Sequence, residues 1–489
     1  GGGVWISHSD PIFTNVLIAN NVSEDEGGGI ATYTKTNATL INTSIINNSS
    51  GNQNFIGTGG IFNFNTTDMI IKNSIISGNS STQIRISSQP QIQNLSVSNS
   101  LIEGGQSDIM DGGNLINWGD GNIGVDPRFR DSESGDYQLL ASSRCINSGA
   151  PELTDIDNTR RDIGAYPYIN YYTGPNWYVS GGSVDYPVFP QESGWCGGMG
   201  ENTCPLASIQ AALNFVGPGD TIWVLGSAGP YNENIVFWRD IDNINLNGNW
   251  GEGETVLDGQ GIGPVITISG KDVTISGFTI TGGNHETDMD IPANLAGGIN
   301  ALNGSNLTLS DLHITGNSGY AGGGINCDLS STINLSNSLV DYNEGALLGG
   351  GLNIKGLSIL DSVDILYNSG GSGGGINFNY GRGEISNSRI SHNECYYNSP
   401  GLAATGSNWG DTNGDWESIG LILNHVEIAD NQGDYQVSIQ SSTSGGSFSK
   451  VELNNVTIAV SDQNIPGLLS GIRLIGTATN TLDIHNSII

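Results

Sequence analysis

Positive charge is what this sequence has least of. Lys and Arg number 15 against 48 Asp and Glu, a formal net charge of −33 over 489 residues, and charged residues of all kinds make up only 13%. With so few cations to neutralise phosphates, binding to nucleic acid or to an anionic lipid surface is disfavoured. Divalent cations are the small partners such a composition attracts. Long apolar runs are missing too: no stretch of 18 apolar residues occurs, so no membrane insertion is expected. The first residues, Gly1-Gly2-Gly3-Val4-Trp5-Ile6, offer no Met, no basic segment and no signal core, which is the expectation for a mature or internal piece of a longer chain. There is no Gly-X-Y period, which excludes collagen. Helical spacing is nearly absent. The exception is 205–216, where Ile209, Ala212, Leu213 and Val216 share one face.

Glycine is abundant instead, at 73 residues, about 15% of the chain and roughly twice ordinary usage. It recurs in clusters followed by an aliphatic residue, placing Ile299, Ile325, Leu352 and Ile376 at intervals of 24–27 residues and Val4, Ile30 and Ile61 at 26 and 31. Each cluster is followed by a short β-type run ending in Asn, as in Ser44-Ile45-Ile46-Asn47-Asn48 and Ser338-Leu339-Val340-Asp341-Tyr342-Asn343. Within the runs apolar and hydroxyl residues alternate (Val273-Thr274-Ile275-Ser276), the pattern of strands with one buried face. Several short strands per repeat and no crossover helices predict the coils of a parallel β-helix. Gly298, Gly324, Gly351 and Gly375 are the expected structural turn positions. Asn343, Asn368 and Asn393 are expected either to stack as an amide ladder or to serve turn chemistry alone.

The glycine-cluster repeats resemble those of chlamydial polymorphic outer-membrane proteins and, more broadly, right-handed pectin-lyase-like parallel β-helices. A sharper stretch spans 124–168: Val125-Asp126-Pro127-Arg128-Phe129, Gly135-Asp136-Tyr137-Gln138-Leu139, Cys145-Ile146-Asn147-Ser148-Gly149 and Asp162-Ile163-Gly164-Ala165-Tyr166. It is similar to the end of secreted bacterial β-helix proteins of the choice-of-anchor type, where it closes the solenoid. From Asn176 onward the chain resembles the opposite, N-terminal cap, with the 205–216 helix covering the first coil and blocking strand addition at that edge. The resemblance implies an all-β chain of two tandem right-handed parallel β-helices, the second with an N-terminal capping helix. The expected divisions are 1–168 for the end of the first, 169–176 for a short, stiff Tyr/Pro-rich linker, 177–264 for the cap and first coils of the second, and 265–489 for its repeat coils. An extracellular or cell-surface location, in a secreted bacterial protein, goes with it.

Five cysteines are present. Cys196 and Cys204, eight apart in one loop, are expected to form a disulfide rather than a zinc site, which would need further Cys or His nearby. Cys327 and Cys395 are expected to be unpaired and buried, and Cys145 has no obvious partner. Asp411, Asn413, Asp415 and Glu417 alternate around Gly414 as calcium ligands do, though the full twelve-residue loop is missing; calcium is the only cofactor expected. Asp155 and Asp157 have similar spacing but stand beside Arg160 and Arg161, which can pair with them or with Asp162.

Enzymes of the pectin-lyase-like fold need a cation beside the sugar carboxylate or clustered carboxylates. Arg382 and Arg389 are the best cation pair in the second half, with salt bridges to Glu384 or Glu394 as the alternative reading. Asp288 and Asp290 are the nearest acid candidates, without the Asn-Thr-Asp, Asp-Asp and Gly-His-Gly combination that the resemblance would require. The expected function is therefore non-enzymatic: an extracellular structural or adhesive protein of tandem β-helices, part of a larger surface stalk, adhesin or filament. Its expected partners are further copies, head-to-tail, or surface glycans and proteins. The alternatives are a calcium-dependent polysaccharide lyase or hydrolase, and a carbohydrate-binding β-helix using exposed aromatics such as Trp409, Trp416, Tyr396 and Tyr397.

Overall fold

A computed structural model describes residues 1–51, 57–64, 68–87, 94–181, 199–284, 296–397, 399–406, 420–441, 450–459, 470–475 and 481–489. The chain is a β-solenoid of about 15 turns, nearly all-β and 3% helical. Its described residues fall into two compact units, 1–173 with Met199, and 174–181 with 200–489.

In the first unit each coil carries three short strands that stack in parallel on those of the next coil. The aliphatic residues after the glycine clusters meet in register: Val4 pairs with Ile30, Ile30 with Ile61, and Ile61 with Ile84. The second strand of each coil buries every other residue, so Ala38, Leu40, Met69, Ile71, Leu95 and Val97 point inward while Asn37, Thr39, Asp68, Ile70, Asn94 and Ser96 face out. These side chains and Ile30, Ile61 and Ile84 form one continuous core, in which each Leu, Ile, Val or Met contributes about 1.5–3 kcal/mol by leaving water.

Residues 124–168 do not sit only at the last coil. Their hydrogen bonds reach back along the side of the stack. Asn20 donates to the Tyr137 hydroxyl at 2.8 Å, the Ala165 amide to Ser44 Oγ at 2.9 Å and the Ala150 amide to Asn73 Oδ1 at 2.8 Å. Three buried or half-buried carboxylates brace this segment. Asp155 accepts from the Asp162 amide (2.7 Å), Asp162 from the Asn147 and Tyr168 amides (both 2.6 Å), and Asp157 from the Asn170 amide (3.0 Å). Arg161 pairs with Asp155 at 3.2 Å, while Arg160 Nε donates to the Gly149 carbonyl at 2.6 Å.

In the second unit Ile299, Ile325, Leu352, Ile376 and Leu402 pair in series on one parallel sheet. Among the described residues two further strand rows merge into an 18-stranded sheet, because the corner between them consumes one residue, while the short strands at Ser318, Glu344, Ser369 and Glu394 form a separate four-stranded sheet. Within the strands Thr332–Asp341 and Leu357–Leu366, Asn337 and Ser362 take left-handed conformations (φ 48° and 59°). Pairing resumes on either side, Ser336 with Asp361 and Ser338 with Val363. Asn is among the few residues that adopt this conformation at little cost.

The helix is shorter than the 205–216 predicted. Only Ile209–Ala212 is α-helical: before it Leu206 is drawn into a parallel bridge with Val179, and after it the amides of Asn214 and Phe215 bond three residues back, to Ala211 and Ala212. Ser208 Oγ accepts from the Ala211 amide (3.1 Å), and Glu233 accepts from the Ile209 and Gln210 amides (both 2.9 Å), which satisfies the exposed first turn. Arg239 donates to the carbonyls of Asn214 (2.7 Å) and Val216 (3.1 Å) just beyond it. Ile209, Ala212, Leu213 and Val216 are all buried.

Candidate functional site

The repeated geometry of the coils is set by an amide ladder. Asn317, Asn343, Asn368, Asn393 and Asn431 are buried on successive coils. The Nδ2 of Asn317, Asn343 and Asn368 each donates to the next Oδ1 at 3.0 Å, and that of Asn393 to Asn431 at 2.9 Å. Each Oδ1 also accepts the preceding Asn's own amide, as Asn368 Oδ1 does from the Asn343 N–H at 3.0 Å. The second Nδ2 hydrogen goes to strand carbonyls, for Asn343 those of Ile314 (2.8 Å) and Asp341 (2.9 Å). The ladder ends on a glutamine: Asn431 donates to Gln436 Oε1 at 2.8 Å. In the first unit Asn21, Asn48 and Asn79 repeat the arrangement, and Gln83 again closes it. Such buried amides contribute only because every donor and acceptor is met.

The predicted turn glycines lie against this ladder, and their reason is closeness rather than dihedral freedom. A Cβ on Gly324 would lie 2.7 Å from the Gly351 carbonyl oxygen and 3.2 Å from Asn343 Nδ2. On Gly351 it would lie 2.6 Å from the Gly375 oxygen and 3.2 Å from Asn368 Nδ2, and on Gly375 2.7 Å from the Gly401 oxygen and 3.0 Å from Asn393 Nδ2. Gly298 is likewise pressed against the Gly324 carbonyl. The left-handed turn expected of this phrase falls two residues earlier, at Gly322 (φ 75°) and Gly373 (φ 67°).

A cleft of about 550 Å³ opens on the outer side of the second unit, along the corner residues Asp311, Asn337 and Ser362. Its walls include Glu254, His313 and Asp364. His313 Nε2 lies 2.8 Å from Asp341 Oδ1, Arg389 pairs with Asp364 at 3.0 Å, and Glu254 accepts from the Thr279 hydroxyl. The Ser338 hydroxyl, also in the cleft, donates to the Ser336 carbonyl at 2.6 Å and accepts the Leu312 amide at 3.1 Å. These polar groups hold one another, so the Ser338 hydroxyl is not poised against the imidazole as a nucleophile is against its base.

A third feature is aromatic. Tyr342, Tyr367 and His392 occupy equivalent positions on three coils, one residue before the ladder asparagines. Tyr342 and Tyr367 stack at 5.2 Å with 5° between planes, and His392 follows at 4.9 Å. All three are in left-handed conformations, and both tyrosines are exposed.

Of the other expected residues, Arg389 pairs with Asp364 instead of Glu384 or Glu394, because the register places Asp364 beside it. Glu384 instead accepts from Asn424 Nδ2 at 2.8 Å. Cys204 is disulfide-bonded; Cys196, its expected partner, lies outside the described residues. Cys145 and Cys327 are buried thiols, each pushed up to about 12 by burial. Cys395, expected to be buried, is only half-buried; it stands in the register row of Gly345 and Gly370, where a Cβ would crowd the backbone. Asp411, Asn413, Asp415 and Glu417 lie outside the described residues, as do Asp288, Asp290, Trp409 and Trp416. Among the described residues no group of three or more His, Cys, Asp or Glu could hold a metal ion. No helix is long and apolar enough to cross a membrane among them. His313, Asp341 and the tyrosine column were not singled out from sequence. The column's signal is the residue before each repeat's terminal Asn, which reads Tyr, Tyr and His in three consecutive repeats.

No protein-family model matches the chain, and no curated protein is significantly similar to it.

Proposed function

We propose that the chain is a non-enzymatic, extracellular structural and adhesive segment, part of a larger stalk, adhesin or filament of bacterial origin built from right-handed, pectin-lyase-like coils. The observation that carries this reading is the uninterrupted Asn317–Asn343–Asn368–Asn393–Asn431 ladder, whose amides are spent on holding coil to coil. A stack so tied resists local opening, which a load-bearing segment needs and a catalytic lid does not. The exposed tyrosine column supplies an adhesive surface on that frame. Partners in this reading are further copies of the chain or surface glycans and proteins. Calcium at Asp411, Asn413, Asp415 and Glu417 would be a stabilising ligand, raising Tm by mass action.

Beads coated with the protein should adhere to host or sister-cell surfaces, or electron microscopy of the native material should reveal regular filaments. Neither adhesion nor assembly would overturn the reading. One observation favours a second, catalytic reading, the pairing of the cleft residue His313 with Asp341. Cleavage of an acidic or neutral polysaccharide that is lost in H313A would establish it.

A further inference from the structure

The coils of the two units turn the same outer corner with residues in the same order, and in the first unit that corner is covered. Asn42, Asn73 and Asn99 are its left-handed residues in the first unit (φ 49°, 51° and 46°), and Asp311, Asn337 and Ser362 those in the second (φ 54°, 48° and 59°). The next residue closes the corner in the same way in both. Ser74 Oγ accepts the Thr43 amide at 3.0 Å, and Ser338 Oγ accepts the Leu312 amide at 3.1 Å. One position further on stand Ser44, Ile75 and Leu101 in the first unit and His313, Leu339 and Asp364 in the second, each set in parallel register.

In the first unit this surface lies beneath the returning segment 145–165. Ser44, Ile75 and Leu101 are at most 2% exposed, and Asn73 is fully buried. The Ala150 amide donates to Asn73 Oδ1 and the Gly164 amide to the Asn73 carbonyl, both at 2.8 Å, and the Ala165 amide donates to Ser44 Oγ at 2.9 Å. Gly164 crosses where a side chain would not fit: a Cβ there would lie 2.6 Å from Ile75 Cδ1 and 3.2 Å from Ser44 Oγ. Lys72, just before the corner, pairs with Glu152 of the returning segment at 2.8 Å.

In the second unit the same surface is the cleft of about 550 Å³. Asp311, Asn337 and Ser362 are exposed, and Leu339 is half-buried. Asn337 offers the amide oxygen that Asn73 uses, and Leu339 repeats the apolar floor of Ile75. The side chains of Asp311 and Asn337 have no hydrogen-bond or ion-pair partner among the described residues. The charge, however, is reversed. Ser336 stands where Lys72 stands, with Asp361 paired to it on the next coil, and the cleft itself is lined by Glu254, Asp311 and Asp364.

We propose that the cleft seats an extended, basic polypeptide segment of a partner, laid across the corner as Ile163-Gly164-Ala165 is laid across Asn73 and Ser44. Its main-chain amides meet Asn337, a glycine passes over Leu339, and flanking Arg or Lys side chains face Asp311 and Asp364. Main-chain bonds to a fixed corner hold such a segment without regard to most of its side chains, and the carboxylates select a basic one over an acidic one. A second copy of this chain, with its net charge of −33, is a poor occupant for an acidic seat. The seat goes beyond the adhesive reading and would serve whether or not the chain adheres to a surface.

The test is fluorescence anisotropy of the full chain with labelled Arg-Arg-Asn-Ile-Gly-Ala-Tyr, the sequence of 160–166 with Asp162→Asn and capped ends. Saturable binding is expected. The peptide carrying Gly164→Val should bind about tenfold more weakly, because its side chain would meet Leu339, and the peptide with both arginines replaced by glutamate should not bind. In the chain, D311N, which keeps a residue tolerant of the left-handed conformation, should weaken binding about threefold, and L339R, on the cleft floor, at least about tenfold, each with an unchanged far-ultraviolet spectrum and melting curve. E344Q removes an exposed carboxylate outside the cleft and should leave binding unchanged, which separates the seat from general attraction to an acidic chain. The proposal is overturned if the basic peptide does not bind, if the valine peptide binds as well as the glycine peptide, if D311N and L339R bind like the parent, or if E344Q weakens binding as much as D311N. Sedimentation that reveals a dimer dissolved by L339R would place a second copy in the cleft and overturn it as well.

Discussion

Asn343 and Asn368 are held by two hydrogen bonds to the same oxygen: Asn368 Oδ1 accepts both the side-chain Nδ2 and the backbone N–H of Asn343, each at 3.0 Å. One amide thus satisfies the corner of the coil before it and, through its own Nδ2, binds the oxygen of the coil after it. Removing it damages two coils at once. Asn368→Ala leaves two buried donors of Asn343 without an acceptor, at about 1–3 kcal/mol each. Chemical denaturation should report a loss of about 2–5 kcal/mol, whereas exposed Glu344→Ala should cost less than about 0.5 kcal/mol.

The glycines beside the ladder should be equally intolerant, for a different reason. Gly351→Ala would place a methyl group 2.6 Å from the Gly375 oxygen and 3.2 Å from Asn368 Nδ2. Neither neighbour can retreat without breaking a rung. A cost of about 1–3 kcal/mol is expected, the range of overpacked interiors, and thermal melts of the variant should fall accordingly. Gly304→Ala, which would meet no atom within 4 Å but has φ 84°, separates backbone strain from crowding.

Acid should stabilise one part of the first unit. Burial raises the Asp162 carboxyl well above its ordinary value of 3.8, with Asp155 adding to the rise and the Asn147 and Tyr168 amides opposing it. The folded chain then holds this proton more tightly than the unfolded chain. Its contribution is fully present below the unfolded value and is lost as pH rises through the folded value. Asp162→Asn should flatten the decline in stability above about pH 4, and denaturation series across pH will read the change in slope. A slope unchanged by the variant would refute the assignment.

Thiol reactivity should sort the cysteines by depth. Cys145 and Cys327, pushed up to about 12, hold almost no thiolate near neutrality and should react with an aromatic disulfide reagent only after unfolding. Cys395 is half-buried and should be modified in the native protein. Mass spectrometry after brief labelling distinguishes these outcomes.

Much of the fold was legible because strand period and repeat length are both written in single residues. Ile299, Ile325, Leu352 and Ile376, picked out by spacing, pair in register. Fold class follows from such a pattern because a slip of one residue would turn every inward aliphatic outward. The helix was over-extended because an amphipathic pattern cannot show that Leu206 is taken by a strand partner. Arg389 was assigned the wrong partners because Glu384 and Glu394 are near it in sequence, whereas a solenoid makes the residue 25 positions back its neighbour. The tyrosine column escaped for the same reason. Tyr342 and Tyr367 are unremarkable singly and form a surface only when coils stack.

The most direct test of the central claim is a cleavage assay. The full chain, with and without Ca²⁺, is incubated with acidic and neutral polysaccharides while new reducing ends and unsaturated products are measured. No turnover is expected in either condition, since the cleft residues His313 and Asp364 are held by Asp341 and Arg389. Turnover that disappears in H313A would contradict it and make the cleft an active site.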